Sequence, residues 1–212
     1  MPALLDEDFS SAGTSYPSTP SGWTGSALHG NVSSKVAAGV ISLKIDSLMA
    51  KVNEADNPYK LPGNFEDTLS DPDKILSPDK DNYNVLMISS PIKTAYSYKS
   101  TAYTAGANSY YKLSVYVYTP DFHTIGEDAN YGAFIAVSGD INAVSAPINT
   151  KNTWQAFSLY FSGYGYKSAS FSVSLQLGDY RTEDDVSSLR PAEGYALFDS
   201  VVLQPVSYET FN

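Results

Sequence analysis

An antiparallel two-sheet β-sandwich is the fold class that the sequence predicts, and three observations carry the prediction. The second half of the chain alternates apolar and polar residues with period two almost throughout. Turn residues (Gly, Pro, Asn, Asp) separate the alternating runs. The runs alternate cleanly and are not continuously apolar, which argues against a parallel sheet buried on both faces. At 212 residues a single domain buries roughly 70% of its unfolded surface, so residues 1–212 are read as one self-sufficient domain.

In chain order, strands are expected at Leu4–Phe9, Val40–Ile45, Asn84–Ile88 and Ala95–Ser100. Tyr111–Tyr118 puts Tyr111, Leu113, Val115 and Val117 on one face and Lys112, Ser114, Tyr116 and Tyr118 on the other. Gly132–Ser138 and Trp154–Phe161 follow, the latter with Phe157, Leu159 and Phe161 inward. Ser170–Leu177 is the cleanest run, with Phe171, Val173, Leu175 and Leu177 inward, and Tyr195–Leu203 closes the domain. About nine strands result, a count that suits a sandwich. One stretch departs from the pattern: Ser47–Ala55 carries apolar residues at 48, 49, 52 and 55 behind a capping Ser47, so a short helix is expected there. A long acidic loop follows, completing an insertion near 47–81. Glu54–Asp81 holds eight acids and three lysines, half the net charge, and its four prolines exclude a long helix.

The net charge of -10 and the presence of only two arginines, Arg181 and Arg190, argue against nucleic acid and anionic membrane surfaces as partners. No run approaches the length of a membrane span, so no membrane insertion is expected. Met1-Pro2-Ala3 opens no basic, then apolar, leader. With no cysteine, disulfides, thiolate nucleophiles and zinc-thiolate sites are excluded. Thirty Ser, thirteen Thr and seventeen Tyr make the chain polar through neutral hydroxyls and rings. Such a surface suits extracellular β domains and sugar-binding faces, although Tyr and Thr also simply favour strands.

Motifs of catalysis are missing. No phosphate-binding loop, dinucleotide fingerprint or Gly-x-Ser-x-Gly elbow occurs, and His29 and His123 lack metal-ligand spacing. The chain is therefore not expected to be an enzyme. Asp71–Asp73 and Asp79–Asn84 look superficially like calcium loops but lack the EF-hand Gly and Glu. Asp6, Glu7 and Asp8 near the first strand and Asp199 near the last are better placed, since terminal strands of a sandwich often end close together.

Four segments, in order, carry a family resemblance. They are Leu4–Ser10 with Gly22-Trp23-Thr24, Ala107–Val117, Asn152–Phe157, and Gly194–Leu203 with its Phe198-Asp199-Ser200-Val201 core. Together they resemble extracellular carbohydrate-binding modules of the galactose-binding-domain-like jelly-roll superfamily. The resemblance implies a two-sheet jelly roll, a non-catalytic binding or spacer role, and a structural Ca2+ tying the first strand to the last. Asp199 matches the family's closing Asp, while Ser10 and Ser200 stand where its Glu and second Asp would be. Asp6, Glu7 or Asp8 is expected to substitute, and Asp6, Asp8 and Asp199 are the candidate metal ligands.

A sugar site needs a flat ring for the apolar face of the sugar and a few planar hydrogen bonders. Tyr96 and Tyr98 share one strand face, as do Tyr116 and Tyr118, and the two pairs would form a platform if their strands were neighbours. Tyr180 and Arg181 add a ring and a fork-like donor in the loop 179–185, and Tyr131, Tyr164 and Tyr166, in turns, are further candidates. Trp23 and Trp154 are read as core. The expected function is a non-catalytic glycan-binding module of a secreted or cell-surface protein, with a glycan or cell-surface polysaccharide as partner and neighbouring modules in the same chain. A structural or adhesive sandwich module without a small ligand is the alternative.

Overall fold

The computed structural model describes residues 2–11, 17–31, 33–44, 83–122, 131–163, 165, 167–183 and 186–211. The expected helix at 47–55, the acidic stretch 54–81, and His123, Tyr164 and Tyr166 lie outside the described residues. Thirteen strands occur among the described residues: β1 (Leu5–Glu7), β2 (Trp23–Ala27), β3 (Ala37–Ser42), β4 (Asn84–Thr94), β5 (Tyr96–Gly106), β6 (Tyr110–Tyr118), β7 (Ala133–Gly139), β8 (Ala143–Val144), β9 (Gln155–Ser162), β10 (Ser168–Leu177), β11 (Asp179–Glu183), β12 (Val186–Arg190) and β13 (Ala192–Val206). A short helix, α1 (Tyr208–Phe211), ends the chain.

Two antiparallel sheets form the sandwich. The first runs β3-β4-β13-β6-β9, with β1 also paired to β13; the second runs β2-β5-β10-β7-β8; β11 and β12 make a separate ribbon. The inward residues expected of β10, Phe171, Val173, Leu175 and Leu177, are all buried between the sheets, as are Tyr111, Leu113, Val115 and Val117 of β6. Trp23 joins this core. A smaller apolar cluster lies on the opposite face of the first sheet, where Ile41, Leu43, Val85, Met87, Tyr118, Tyr195 and Leu197 are buried and Trp154 is half-buried against them. No helix among the described residues is long and apolar enough to cross a membrane.

The strand count exceeds the expected nine because three kinds of strand carry weak sequence signals. β2 contains Gly25 and lacks apolar alternation beyond Trp23. It pairs with β5 because a Cβ at position 25 would lie 2.5 Å from Tyr96 Oη and 2.9 Å from a ring carbon of Tyr98; the glycine makes room for two core rings. β8 is only two residues long. The β11–β12 ribbon is dense in charge and shows no apolar alternation.

Candidate functional site

The second sheet ends at a corner where β10 turns into the β11–β12 ribbon, and Gly178 makes that turn possible. Its φ is 69°, a left-handed value that favours glycine. Its N–H donates to the Gly132 carbonyl at 2.9 Å. A Cβ here would collide with the Thr94 carbonyl oxygen and approach the Ala192 nitrogen to 2.9 Å. Four segments thus meet at one backbone atom.

Asp179 follows immediately and is 2% exposed. Its Oδ2 accepts from Arg181 Nε at 2.7 Å and from Arg190 Nη2, so both arginines of the chain converge on one buried carboxylate. Charge-assisted hydrogen bonds of this kind are the strong ones, and they set where the guanidinium groups point. The Arg190 guanidinium carbon stands 4.7 Å from the centroid of the Phe134 ring, a cation–π arrangement. Asp179 pairs with Arg190 and Arg181 with Ser188 across the ribbon, while Tyr180 pairs with Leu189. Strand alternation therefore puts Asp179, Arg181 and Arg190 on one ribbon face and Tyr180 with Leu189 on the other.

Beneath Arg190 lies the outward face of the second sheet. Gln176 is opposite Ser97 on one side and Phe134 on the other, so the three form a row across β5, β10 and β7. Gln176 Nε2 donates to Ser174 Oγ at 3.1 Å. Ser97 Oγ, Gln176 Oε1 and Arg190 Nε are buried with no hydrogen-bond partner among the described residues. Most buried polar atoms are paired, so three unused groups in one corner set it apart. On the open face of the ribbon the Tyr180 ring lies 4.6 Å from that of His29, and Leu189 is exposed. Lys93 Nζ sits 4.7 Å from the Tyr131 ring centroid. Chemically, the corner offers flat rings, an oriented guanidinium pair and unsatisfied amide and hydroxyl groups.

Of the residues predicted from sequence, Tyr180 and Arg181 do share the ribbon, on its opposite faces. The four-tyrosine platform does not form. β5 and β6 are consecutive in the chain but belong to opposite sheets. Tyr96 and Tyr98 point into the core at 9% and 3% exposure, Tyr98 stacking on Trp23 at 6.4 Å. Tyr118 is fully buried in the smaller cluster, and only Tyr116, at 38%, offers its ring to solvent. Sequence reasoning missed His29, Phe134, Gln176 and Arg190. Arg190 had a legible signal, being one of two arginines eleven residues after an Asp; Phe134 and Gln176 had none beyond facing outward on apolar strands.

The candidate metal ligands are engaged locally. Asp8 Oδ1 accepts the Ser10 N–H at 2.9 Å, and the Ser10 hydroxyl and then its amide hold the Asp8 carboxyl below its usual value. Asp199 is buried and its Oδ1 accepts the Ser200 N–H at 2.7 Å. Asp6 pairs with Val202 across β1 and β13. Among the described residues no three His, Asp or Glu side chains gather as metal ligands.

No family model and no curated protein sequence matches the chain. Solved structures share its fold at low identity. The CBM22-1 xylan-binding domain of Paenibacillus barcinonensis Xyn10C is 12% identical, with a TM-score of 0.50 over 97% of this chain and 96% of that one. The CBM22-1-GH10 modules of a Clostridium thermocellum endo-1,4-beta-D-xylanase, complexed with xylohexaose, give 10% identity and a TM-score of 0.47 over 97% of this chain and 29% of that one. The enzymatically active domain of bacteriophage CBA120 tailspike protein 4 gives 9% and 0.48 over 88% of this chain; the match spans a fifth of the tailspike chain, 20%. The chain shares a two-sheet β-sandwich fold with the CBM22-1 xylan-binding domain.

Proposed function

We propose that the chain is a non-catalytic carbohydrate-binding module of a secreted or cell-surface protein, working beside neighbouring modules. The observation that supports this most is the corner at Gly178. There the Tyr180–His29 ring pair stands on one face of a ribbon whose other face carries a carboxylate-anchored arginine pair. A sugar stacks its C–H face on a ring and presents its hydroxyls to planar hydrogen bonders; Tyr180, beside His29, supplies the ring. Binding is reversible and involves no bond making. The acidic net charge of -10 favours a neutral glycan over a phosphate polymer.

A glycan array followed by calorimetry tests this reading. Tyr180→Ala is expected to weaken the best hit by about tenfold, the worth of one good ring contact, with an unchanged melting temperature. A blank array would favour the structural or adhesive sandwich module, a reading supported by the burial of Tyr96, Tyr98 and Tyr118 in packing roles. The structural Ca2+ at Asp6, Asp8 and Asp199 is part of the same reading, with backbone carbonyls completing its oxygen shell. Chelator is accordingly expected to lower the melting temperature and millimolar calcium to restore it, and a melting curve that chelator leaves unchanged would remove the ion.

A further inference from the structure

A sheet edge carries unpaired N–H and C=O groups, and proteins blunt it with charges, prolines, bulges or very short strands. Most edges of this sandwich are blunted in one of these ways. β1 and β8 span three and two residues. β2 is five residues long and holds Gly25. β3 is bridged on its outer side by Ser18, which exchanges both backbone hydrogen bonds with Val40. The β11–β12 ribbon carries Asp179, Arg181 and Arg190. β9 differs from all of them. It ends the first sheet and, among the described residues, pairs with β6 alone. Its eight residues, Gln155–Ser162, include no charge, proline or glycine, and its register with β6 runs without a shift.

The ladder shows which groups the edge presents. One residue past the strand, the Gly163 N–H donates to the Ser109 carbonyl at 2.8 Å, and the β6–β9 register, continued by one step, sets these two residues opposite each other. Hydrogen-bonded and non-bonded pairs alternate along an antiparallel ladder. Odd-numbered β9 residues therefore bond to β6, and Ala156, Ser158, Tyr160 and Ser162 direct their N–H and C=O groups away from it. Gln155, Ala156, Ser158 and Tyr160 are exposed, so this side is open to solvent. The core beside it is open too. Phe157 and Leu159 face inward, yet they are only half-buried against the core, whereas Leu113 and Val115 opposite them on β6 are sealed. The strand of the second sheet that packs against β9 is β8, and its two residues are too few to cover them.

We propose that the free edge of β9 is a homodimer interface. There β9 of a second copy adds antiparallel about a two-fold axis and joins the two first sheets into one. The second copy is the occupant because β9 complements itself. Pairing odd residues with odd ones keeps Phe157 and Leu159 on the core side in both copies, and it also sets outward amides against outward carbonyls. An axis through Leu159 uses the strand most fully. Ala156 then pairs with the partner's Ser162 and Ser158 with the partner's Tyr160, which makes about eight hydrogen bonds across the two-fold. Phe157 meets the partner's Phe161 at the closer, non-bonded spacing, where aromatic cross-strand pairs stabilise a sheet. Charge permits the contact as well. Each chain carries a net charge of -10, but β9 bears none of it. Lys112, opposite Tyr160 on β6, then shares its row with the partner's Ser158 and the partner's Ser114, so like charges do not meet. One strand edge with its flanking rings belongs to the small class of interfaces, below about 1,200 Å², so the dimer is reversible and depends on concentration. The pairing stands whether or not the Gly178 corner binds sugar; where it does, the dimer presents two corners at once.

Sedimentation velocity on the full chain, from roughly 5 to 500 µM, spans the affinities of small reversible interfaces, and a shift from monomer to dimer is expected. Ser158→Lys puts a cation on the edge, diagonally across from its own copy, and should weaken the dimer about tenfold or more. Ser158→Glu should do the same, and an equal mixture of the two variants should dimerise again. Ser158 is exposed, so both variants should keep the parent's melting temperature. Amide exchange at low and high concentration needs no variant. Ala156, Ser158, Tyr160 and Ser162 should slow as concentration rises, while Phe157, Leu159 and Phe161, already bonded to β6, should not change. A chain that stays monomeric throughout would overturn the dimer, even if a strand of another protein protected the same edge. So would a dimer that Ser158→Lys leaves intact, a variant mixture that stays monomeric, or protection that rises equally at odd and even positions or appears at β2 or β3 instead. A blank glycan array bears on none of these readings.

Discussion

At the scale of single residues, Asp179 organises the corner. Its carboxylate is nearly sealed from solvent, while the side chains of Arg181 and Arg190 remain 29% and 20% exposed. Breaking a fully buried pair by removing one partner costs about 3–5 kcal/mol, since the other charge is left unmet. Partial exposure of both guanidinium groups lowers that figure, so Asp179→Ala is expected to cost about 2–3 kcal/mol in urea unfolding. It also frees Arg190 from its place over Phe134, so sugar affinity should fall along with stability. Tyr180→Ala should lower sugar affinity alone. The contrast separates a residue that positions others from one that meets the ligand. Tyr98 shows the same distinction from the other side: a tyrosine equally plausible as a platform by sequence is a core residue stacked on Trp23.

At the scale of elements, the β10-to-β11 turn joins the sandwich to its ribbon, and Gly178 is the residue on which the joint depends. A methyl group there meets both a left-handed φ of 69° and the Thr94 carbonyl. Gly178→Ala is expected to destabilise the domain by about 2 kcal/mol or more, read as a lower urea midpoint. Local amide exchange should speed up first in β11 and β12, because the ribbon pairs only with itself while β10 is held on both sides by β5 and β7. Amide exchange that rises uniformly over the sandwich would contradict this local role.

At the scale of the whole molecule, tyrosines tie stability to alkaline pH. Burial pushes the Tyr96, Tyr98 and Tyr103 hydroxyls above their ordinary value of 10.0; a second, smaller push on Tyr96 comes from Tyr98, and a Thr19 hydrogen bond partly offsets the effect on Tyr98. Below that value the rings are neutral in the folded and unfolded chains alike, and their contribution is fully present. As pH rises past about 10 the unfolded chain ionises first, so stability falls until the folded rings ionise too. Urea midpoints are therefore expected to be flat from pH 8 to about 10 and to decline above it, with Tyr98→Phe shallower than the parent. An unchanged slope in that variant would show that this ring does not contribute.

Much of the architecture was legible in the residues themselves. Period-two alternation determined that the chain is antiparallel β, and it placed Phe171, Val173, Leu175 and Leu177 inward without ambiguity, because a strand's two faces are set by local geometry alone. The value of Trp23 as core and the presence of Tyr180 and Arg181 on a shared element were also legible. Sheet membership was not. β5 and β6 are adjacent in sequence and alike in composition, yet tertiary packing sends them to opposite sheets, and that choice turned Tyr96 and Tyr98 inward and left Tyr116 outside. Nor could alternation show that Arg190 reaches back to Asp179. Local chemistry states which residues share a face; only the long-range pairing of strands decides which faces meet the core, the solvent or each other.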